Sequence, residues 1–473
     1  MSRAALARRT GRIAAEFGAF ALLLFATRFL AQGHLLPCMD QECHLGGIAV
    51  DVLANGVRFP LATYAPNDYD NGSFFSGLLT AAAFALLGRN VLAAKLVTHV
   101  FAAVGAVASL YLLRTCLREL RVEDRWARWA AIAAVVIGTA FAPRVVTTVS
   151  LVALGNHAEG AAINLVLLAL FVTRRHDRSA ALTATFWALV GFALYVNKGT
   201  FLAVLTLGAA EATLSRHSAR RLTAAVAGLG LGALPEIVTT VQRHGLGWVN
   251  VLQKSERNVQ GFPRAALSSL STFADGRIEL LVAWALALAV GIVLAWRSRS
   301  VATAVVAGFT VFYLAALGVM AQGGLDPYVV YGHPLLVVLI GLTVAVVTAR
   351  ARARWGPRAA VGAALGLSAV VLVACRPAAV SWDPGRVTAL WRDRAAAACS
   401  WRLAEGFARE HRAGRAAAGR TQGQHMIARC RSLSEPEQVA DCIGGIAREL
   451  HWRHGAKVDG GEAPGGLTET ERL

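Results

Sequence analysis

Residues 330–349 read VYGHPLLVVLIGLTVAVVTA, and Arg350, Arg352 and Arg354 follow directly. The run holds no Asp, Glu, Lys or Arg. At about 1.5 Å per residue a helix of this length reaches roughly 30 Å, the thickness of a bilayer's hydrocarbon core. Within hydrocarbon a backbone must satisfy its own hydrogen bonds, which a helix does. The arginines that close the run are what a cytoplasmic boundary carries.

The same pattern recurs on both sides of it. The 473 residues are 56% hydrophobic and 16% charged, against about 25% charged in a soluble protein, and the mean hydropathy is +0.50. The apolar excess is gathered into nearly uncharged runs. This excludes a soluble enzyme and a disordered chain, and a membrane β-barrel would show shorter, alternating segments. The expected fold is all-α, a polytopic transmembrane helical bundle. A net charge of +18 would suit a nucleic-acid binder. However, every basic residue except Lys95, Lys198, Lys254 and Lys457 is Arg, and many stand in short loops between apolar runs. That spacing marks topology, not a base-reading face. The Arg and Ala bias points to a GC-rich coding genome, hence a bacterium.

Eleven spans are predicted, near 17–36, 91–113, 126–145, 158–173, 180–196, 199–215, 222–242, 277–296, 301–320, 330–349 and 358–375. The first run could be a signal peptide, but it is longer than an h-region, contains Arg28 and has no small-x-small cleavage site before Leu36-Pro37-Cys38. It reads as an uncleaved helix with a cytoplasmic N-terminus. Alternation then puts five arginine clusters inside with that terminus. They begin at Arg114, Arg174, Arg216, Arg297 and Arg350. The apolar segment 72–87 is too short to cross, and a crossing there would invert every later cluster. It is expected in the outer interface, within a large first outer loop at 37–90 that also holds an amphipathic stretch, 41–55. A transmembrane domain thus covers 1–375. Residues 376–473 form an extracytoplasmic tail with helices near 385–412 and 422–453, and a Gly-rich end from about 455 whose composition is that of disorder. Cys38, Cys43, Cys375, Cys399, Cys430 and Cys442 fall outside, where disulfides can form, and Cys116 inside; sequence does not choose among the pairings.

Chemistry gathers on the outer side. Asp40, Glu42, Asp51, Asp68 and Asp70 make the first outer loop acidic. Asp40 and Glu42 stand immediately after the first span, where a partly desolvated carboxylate has a raised pKa and can take a proton from a hydroxyl. The plainer alternative is that acids simply mark a translocated loop. Later outer loops add Asn156, His157 and Glu159; the tight turn Asn197-Lys198-Gly199; Lys254, Glu256 and Arg257; and Asp326, Tyr328, Tyr331 and His333. Ionisable residues at span ends are often only snorkelling anchors. Lys198 differs, because so short an outer turn has no topological need of a cation, and anion binding is the competing role.

At these residues the sequence resembles a family. Asp40-Gln41-Glu42-Cys43-His44, then Ala49 and Asn55-Gly56, are similar to the Asp-Glu motif and following interfacial helix of C-type membrane glycosyltransferases, relatives of the protein O-mannosyltransferases and the lipid A aminoarabinose transferase. The resemblance continues through Asp70-Asn71-Gly72, through the stretch from Leu86-Leu87-Gly88 to Lys95-Leu96, and through Gly191-Phe192 to Asn197-Lys198-Gly199. Gly232-Ala233-Leu234-Pro235 and Tyr331-Gly332-His333-Pro334 match more loosely. Two departures stand out: Gln41 separates acids that are usually adjacent, and the tail matches no part of the family.

The resemblance implies a sugar donor carried on polyprenyl phosphate and taken from the bilayer. Asp40 or Glu42 would deprotonate an acceptor hydroxyl that attacks the anomeric carbon with inversion. Lys198, then Arg257 and His333, would answer the charge of the leaving phosphate. His157, Glu159, Tyr331, Asp68 and Asp70 would bind donor or acceptor. Some relatives use a divalent metal and others do not. The rival readings are a transporter or flippase, which would show polar residues deep in spans and broken helices paired between two halves, and a non-catalytic scaffold. Cysteine labelling of intact cells should reach positions in 37–90 and 376–473 and spare those near Arg118 and Arg352. Labelling of the tail only after lysis would overturn the eleven-span order.

Overall fold

A helix occupies each of the eleven apolar runs. The computed structural model describes residues 3–31, 40–57, 59, 64, 72–151, 156–177, 179–214, 218–242, 262–274, 276–320 and 328–374. In chain order the helices are α1 (Arg3–Ala31), α2 (Asp40–Asn55), α3 (Ser73–Leu87), α4 (Val91–Glu119), α5 (Arg125–Ala140), α6 (Arg144–Val149), α7 (His157–Arg174), α8 (Ala180–Val196), α9 (Phe201–Leu214), α10 (Ala219–Gly232), α11 (Leu234–Gln242), α12 (Phe262–Phe273), α13 (Ile278–Ser298), α14 (Val301–Met320), α15 (Val329–Trp355) and α16 (Pro357–Ala374). No strand occurs among the described residues. Four helices, α4, α7, α13 and α15, are each long and apolar enough to cross a bilayer by themselves. The chain is a polytopic helical membrane protein. The expected tail helices lie outside the described residues, as do the outer thiols apart from Cys43, of which the backbone alone is described.

The described residues divide into two compact units. The larger holds α1, α4 from Thr98 onward, and α5 to α16. Its centre is α15, the helix of the opening sequence, which packs against α5, α13, α14 and α16. Of its most apolar stretch 83% is buried, against 22% in α13. Ile278, Val282, Leu286 and Trp296 of α13 are left as an exposed apolar surface, the kind of face that lipid covers. Helices α8 and α10 approach backbone to backbone. A Cβ on Gly228 would lie 2.2 Å from the Ala184 carbonyl oxygen, and one on Gly232 would lie 1.9 Å from that of Ala188. Glycines four residues apart facing alanines four residues apart give the small-residue seam that packs helices in membranes.

The expected single span at 222–242 is instead two helices, α10 and α11, bent by 45°. Pro235 sits in the first turn of α11, where its missing N–H is harmless but where its ring ends any continuation of α10. Buried and half-buried carboxylates tie other helices together. Glu211 of α9 accepts from Arg174 at 2.5 Å, Arg221 at 2.6 Å and the Trp187 indole at 3.3 Å. Glu119, ending α4, accepts from the Ser300 hydroxyl at 2.8 Å and the Ala302 amide at 3.0 Å, capping the start of α14.

In the smaller unit α2 packs on α3 and on the first turns of α4 through Ala49, Val50, Ala81, Phe84, Val91, Ala93 and Ala94. Helix α3 has 15 residues, about 22 Å at the helical rise.

Asp124 caps α5 by accepting from the Ala127 amide at 2.7 Å, and it pairs with Arg352. Partial desolvation raises its carboxyl, but the Ala127 bond and the Arg352 charge outweigh that and hold it below the ordinary carboxylate value. A depressed folded pKa means stability present above the unfolded value and lost as pH falls through the folded one. Asp124→Ala should therefore cost about 0.5–2 kcal/mol at neutral pH. Unfolding in detergent as a function of pH should show the gap to wild type closing below about pH 4.

Candidate active site

In the smaller unit, Asp40 is the first residue of α2, and Glu42 lies within its first turn. The Lys95 ammonium of α4 donates to both Glu42 oxygens, at 2.8 and 2.7 Å. The two side chains are 0% and 2% exposed. A charge pair this deep contributes little net stability, but removing one partner strands the other at a cost of about 3–5 kcal/mol. It fixes how the start of α2 sits against α4. Further along α2, Asp51 accepts from Asn55 at 2.9 Å and lies 3.5 Å from the Tyr64 hydroxyl, whose ring packs on Phe74. Asn90 caps α4, accepting from the Ala93 amide at 2.8 Å.

In the larger unit, a second set of polar groups forms where α7 starts and α8 ends. Asn156 adopts a left-handed conformation, φ +56°, which Asn tolerates better than most residues, and its amide reaches the Val196 carbonyl at 3.3 Å. His157 and Glu159 follow in the first turn of α7. Glu159 is fully buried and accepts from the Thr98 hydroxyl at 3.0 Å. Asn197 ends α8, and its Oδ1 accepts from the Gly199 amide at 2.7 Å and the Tyr331 hydroxyl at 2.6 Å. That hydroxyl lies 3.4 Å from His157 Nδ1. A Cβ on Gly199 would stand 2.7 Å from the Tyr331 ring, so the turn needs glycine there. Lys198 forms an ion pair with Glu236 of α11 at 3.8 Å. The break in the helix thus presents a carboxylate to the turn's cation.

Of the residues singled out from sequence, His157, Tyr331 and the Asn197-Lys198-Gly199 turn come together. Glu159 stands on the same turn of α7. His333 is buried elsewhere on α15 against the Trp284 ring. Glu42 proves to be one half of a buried pair. Asp68, Asp70, Lys254, Glu256, Arg257 and Asp326 lie outside the described residues, as does the Asp40 side chain. Lys95 was missed as a partner. Its signal was an ionised residue inside an otherwise apolar run, which demands a counter-charge. Among the described residues no three His, Cys, Asp or Glu side chains gather as a metal site would require.

No family model matches the chain, and no curated protein matches it. Several solved structures are similar. The oligosaccharyltransferase of Archaeoglobus fulgidus, solved with zinc and sulfate, has TM-score 0.47 and 12% identity over 88% of this chain and 56% of its own. The chain thus spans little more than half the length of that protein. ArnT from Cupriavidus metallidurans gives TM-score 0.44 and 15% identity in the apo state, covering 91% of this chain and 82% of its own. Bound to undecaprenyl phosphate it gives 0.46 and 16%, covering 89% and 81%. Both proteins are C-type glycosyltransferases.

Lys95→Met and Glu42→Gln should each destabilise the protein by about 3–5 kcal/mol. The double variant, with no charge left unanswered, should lose much less than the sum. Thermal unfolding in one detergent measures all four proteins. Additive losses would show that the two side chains do not depend on each other.

Proposed function

We propose that this chain is a membrane glycosyltransferase that moves a sugar from a polyprenyl-phosphate carrier to a hydroxyl of an envelope acceptor, on the outer side of a bacterial inner membrane. The observation that carries the reading is the anchoring of α2. An acidic helix directly after the first span is held at its start by the buried Glu42–Lys95 pair. Both Glu42 oxygens are engaged, so Glu42 positions the helix, and Asp40, at its first residue, is the base. Asp40 takes the acceptor's proton as the oxygen attacks the anomeric carbon. The bond to the carrier phosphate breaks, and the configuration inverts. The electron pair leaves with the phosphate, and cations and hydrogen-bond donors stabilise that growing charge. In the turn around Lys198, a phosphate would compete with Glu236 for the ammonium, so the pair exchanges partners when the carrier binds. The Tyr331–Asn197 bond keeps the turn in shape meanwhile.

A transporter is the second reading, favoured by the break between α10 and α11 with Glu236 buried beside it. Transporters of that kind pair such breaks between two halves, and among the described residues only this one occurs.

Asp40→Asn should lower transfer from a polyprenyl-phosphate sugar by about 10²–10⁴-fold while the purified protein keeps its unfolding temperature. Lys198→Ala should reduce turnover with insertion intact. Radiolabelled sugar transfer in proteoliposomes measures both. Full transfer by Asp40→Asn would remove α2 from the chemistry, and counterflow of the lipid-linked sugar without product would favour the transporter.

A further inference from the structure

The first helix carries Arg28 inside the run read as its span, and the residue is 4% exposed. It therefore does not snorkel to water. Nη1 donates to the Thr147 hydroxyl at 2.8 Å and Nη2 to the Thr139 carbonyl at 2.9 Å, in the last turn of α5. The bond to Thr139 complements the negative end of α5, yet neither partner carries a formal charge. Among the described residues no carboxylate pairs with Arg28.

Three donors of this region, all in the larger unit, have no acceptor among the described residues: Arg28 Nε, the Thr139 hydroxyl and the Trp284 indole N–H. Trp284 is 4% exposed and meets the His333 ring edge to face, centroids 6.2 Å apart. A Cβ on Gly138, the neighbour of Thr139, would stand 3.0 Å from Val337, one turn along α15 from His333, so the end of α5 and the Trp284–His333 pair lie on adjacent turns of α15. Leaving a buried donor unmade costs about 1–3 kcal/mol, and an unanswered buried charge costs more. Elsewhere in the same unit buried arginines meet Glu211. Here α1, α5 and α13 supply donors and a cation, with no acid among the described residues to meet them.

We propose that Arg28, Thr139 and Trp284, with His333 beside them, form an anion site inside the bundle that takes a phosphate group. Donors arriving from three helices suit a tetrahedral group whose oxygens point apart better than a planar carboxylate. A guanidinium fork is the side chain best matched to phosphate. The site stands on these contacts alone and holds or fails independently of sugar transfer.

The test uses the full chain in phosphatidylcholine nanodiscs, with inorganic phosphate and phosphatidic acid as probes, read by native mass spectrometry and by tryptophan fluorescence. Wild type should retain a phosphate-bearing ligand. Trp284→Phe, which keeps an aromatic ring but removes the N–H donor, should weaken retention about tenfold. Arg28→Lys, which loses the fork, should weaken it as well, and exposed Trp296→Phe should not. Retention of phosphatidic acid alone assigns the site to a lipid headgroup, and retention of both probes assigns it to the phosphate itself. If neither probe exceeds the phosphatidylcholine baseline, or if Trp284→Phe and Arg28→Lys bind as wild type does, the site does not exist. Should Arg28→Lys fail to fold, Trp284→Phe decides.

Discussion

Charge withdrawn from water has to be answered inside the protein, and that constraint fixes where these helices meet. Apolar contact alone does not bring helices together in lipid, because the surrounding chains are as apolar as leucine. Glu42 and Lys95 decide how α2 lies against α4. Glu211 gathers α7, α8 and α10 around α9, and Glu119 seats the start of α14. Each of these carboxylates would be a liability alone. Matched with its cation or amide, it acts as a register mark, fixing a contact that interchangeable apolar faces leave free to slide.

The apolar helices were legible because hydropathy marks their extent and arginines mark where several of them end. The run at 330–349 shows this best: its apolar length gives a helix, and Arg350 to Arg354 give its end. The helix at α3 was also visible, as an apolar run whose ends match the 15 residues found. The bend at α10–α11 was less so. Gly232-Ala233-Leu234-Pro235 lies inside an apolar stretch whose average hides the interruption, and only the missing N–H of Pro235 announces it. Pairings were the least legible. Glu42 and Lys95 stand 53 residues apart, and nothing in local pattern says which of several acids a buried lysine will choose. Lys198 reads as an unclaimed cation from its turn alone, because Glu236 reaches it from a helix that the sequence shows as one continuous span.

Hydrogen bonds of fixed direction do a different task from ion pairs here. Asn197 Oδ1 accepts from its own turn and from Tyr331 at once, so the end of α8 and the start of α15 share one acceptor. Neither bond tolerates displacement of a few tenths of an ångström without weakening. The glycine at 199 exists because the Tyr331 ring already occupies the space that a side chain would take. The turn is thus shaped from outside itself, by a residue 134 positions away, while the Lys198 ammonium hangs on a flexible stem with an ion pair at 3.8 Å. A rigid turn lets its cation change partner without reshaping the backbone.

The degree to which a buried charge is answered also separates scaffolding from chemistry. Glu211 holds two guanidinium groups and an indole, and any ligand would have to displace three donors to reach it. Lys95 holds both oxygens of Glu42, so withdrawing either side chain would strand a full charge. Such groups are settled and resist change. Among the described residues Arg28 is bound by a hydroxyl and a carbonyl, contacts that position the guanidinium without neutralising it. In the proposed site, a phosphate bound beside it supplies the negative charge that these contacts lack. The cost of the unpaired state is then recovered whenever the partner is present.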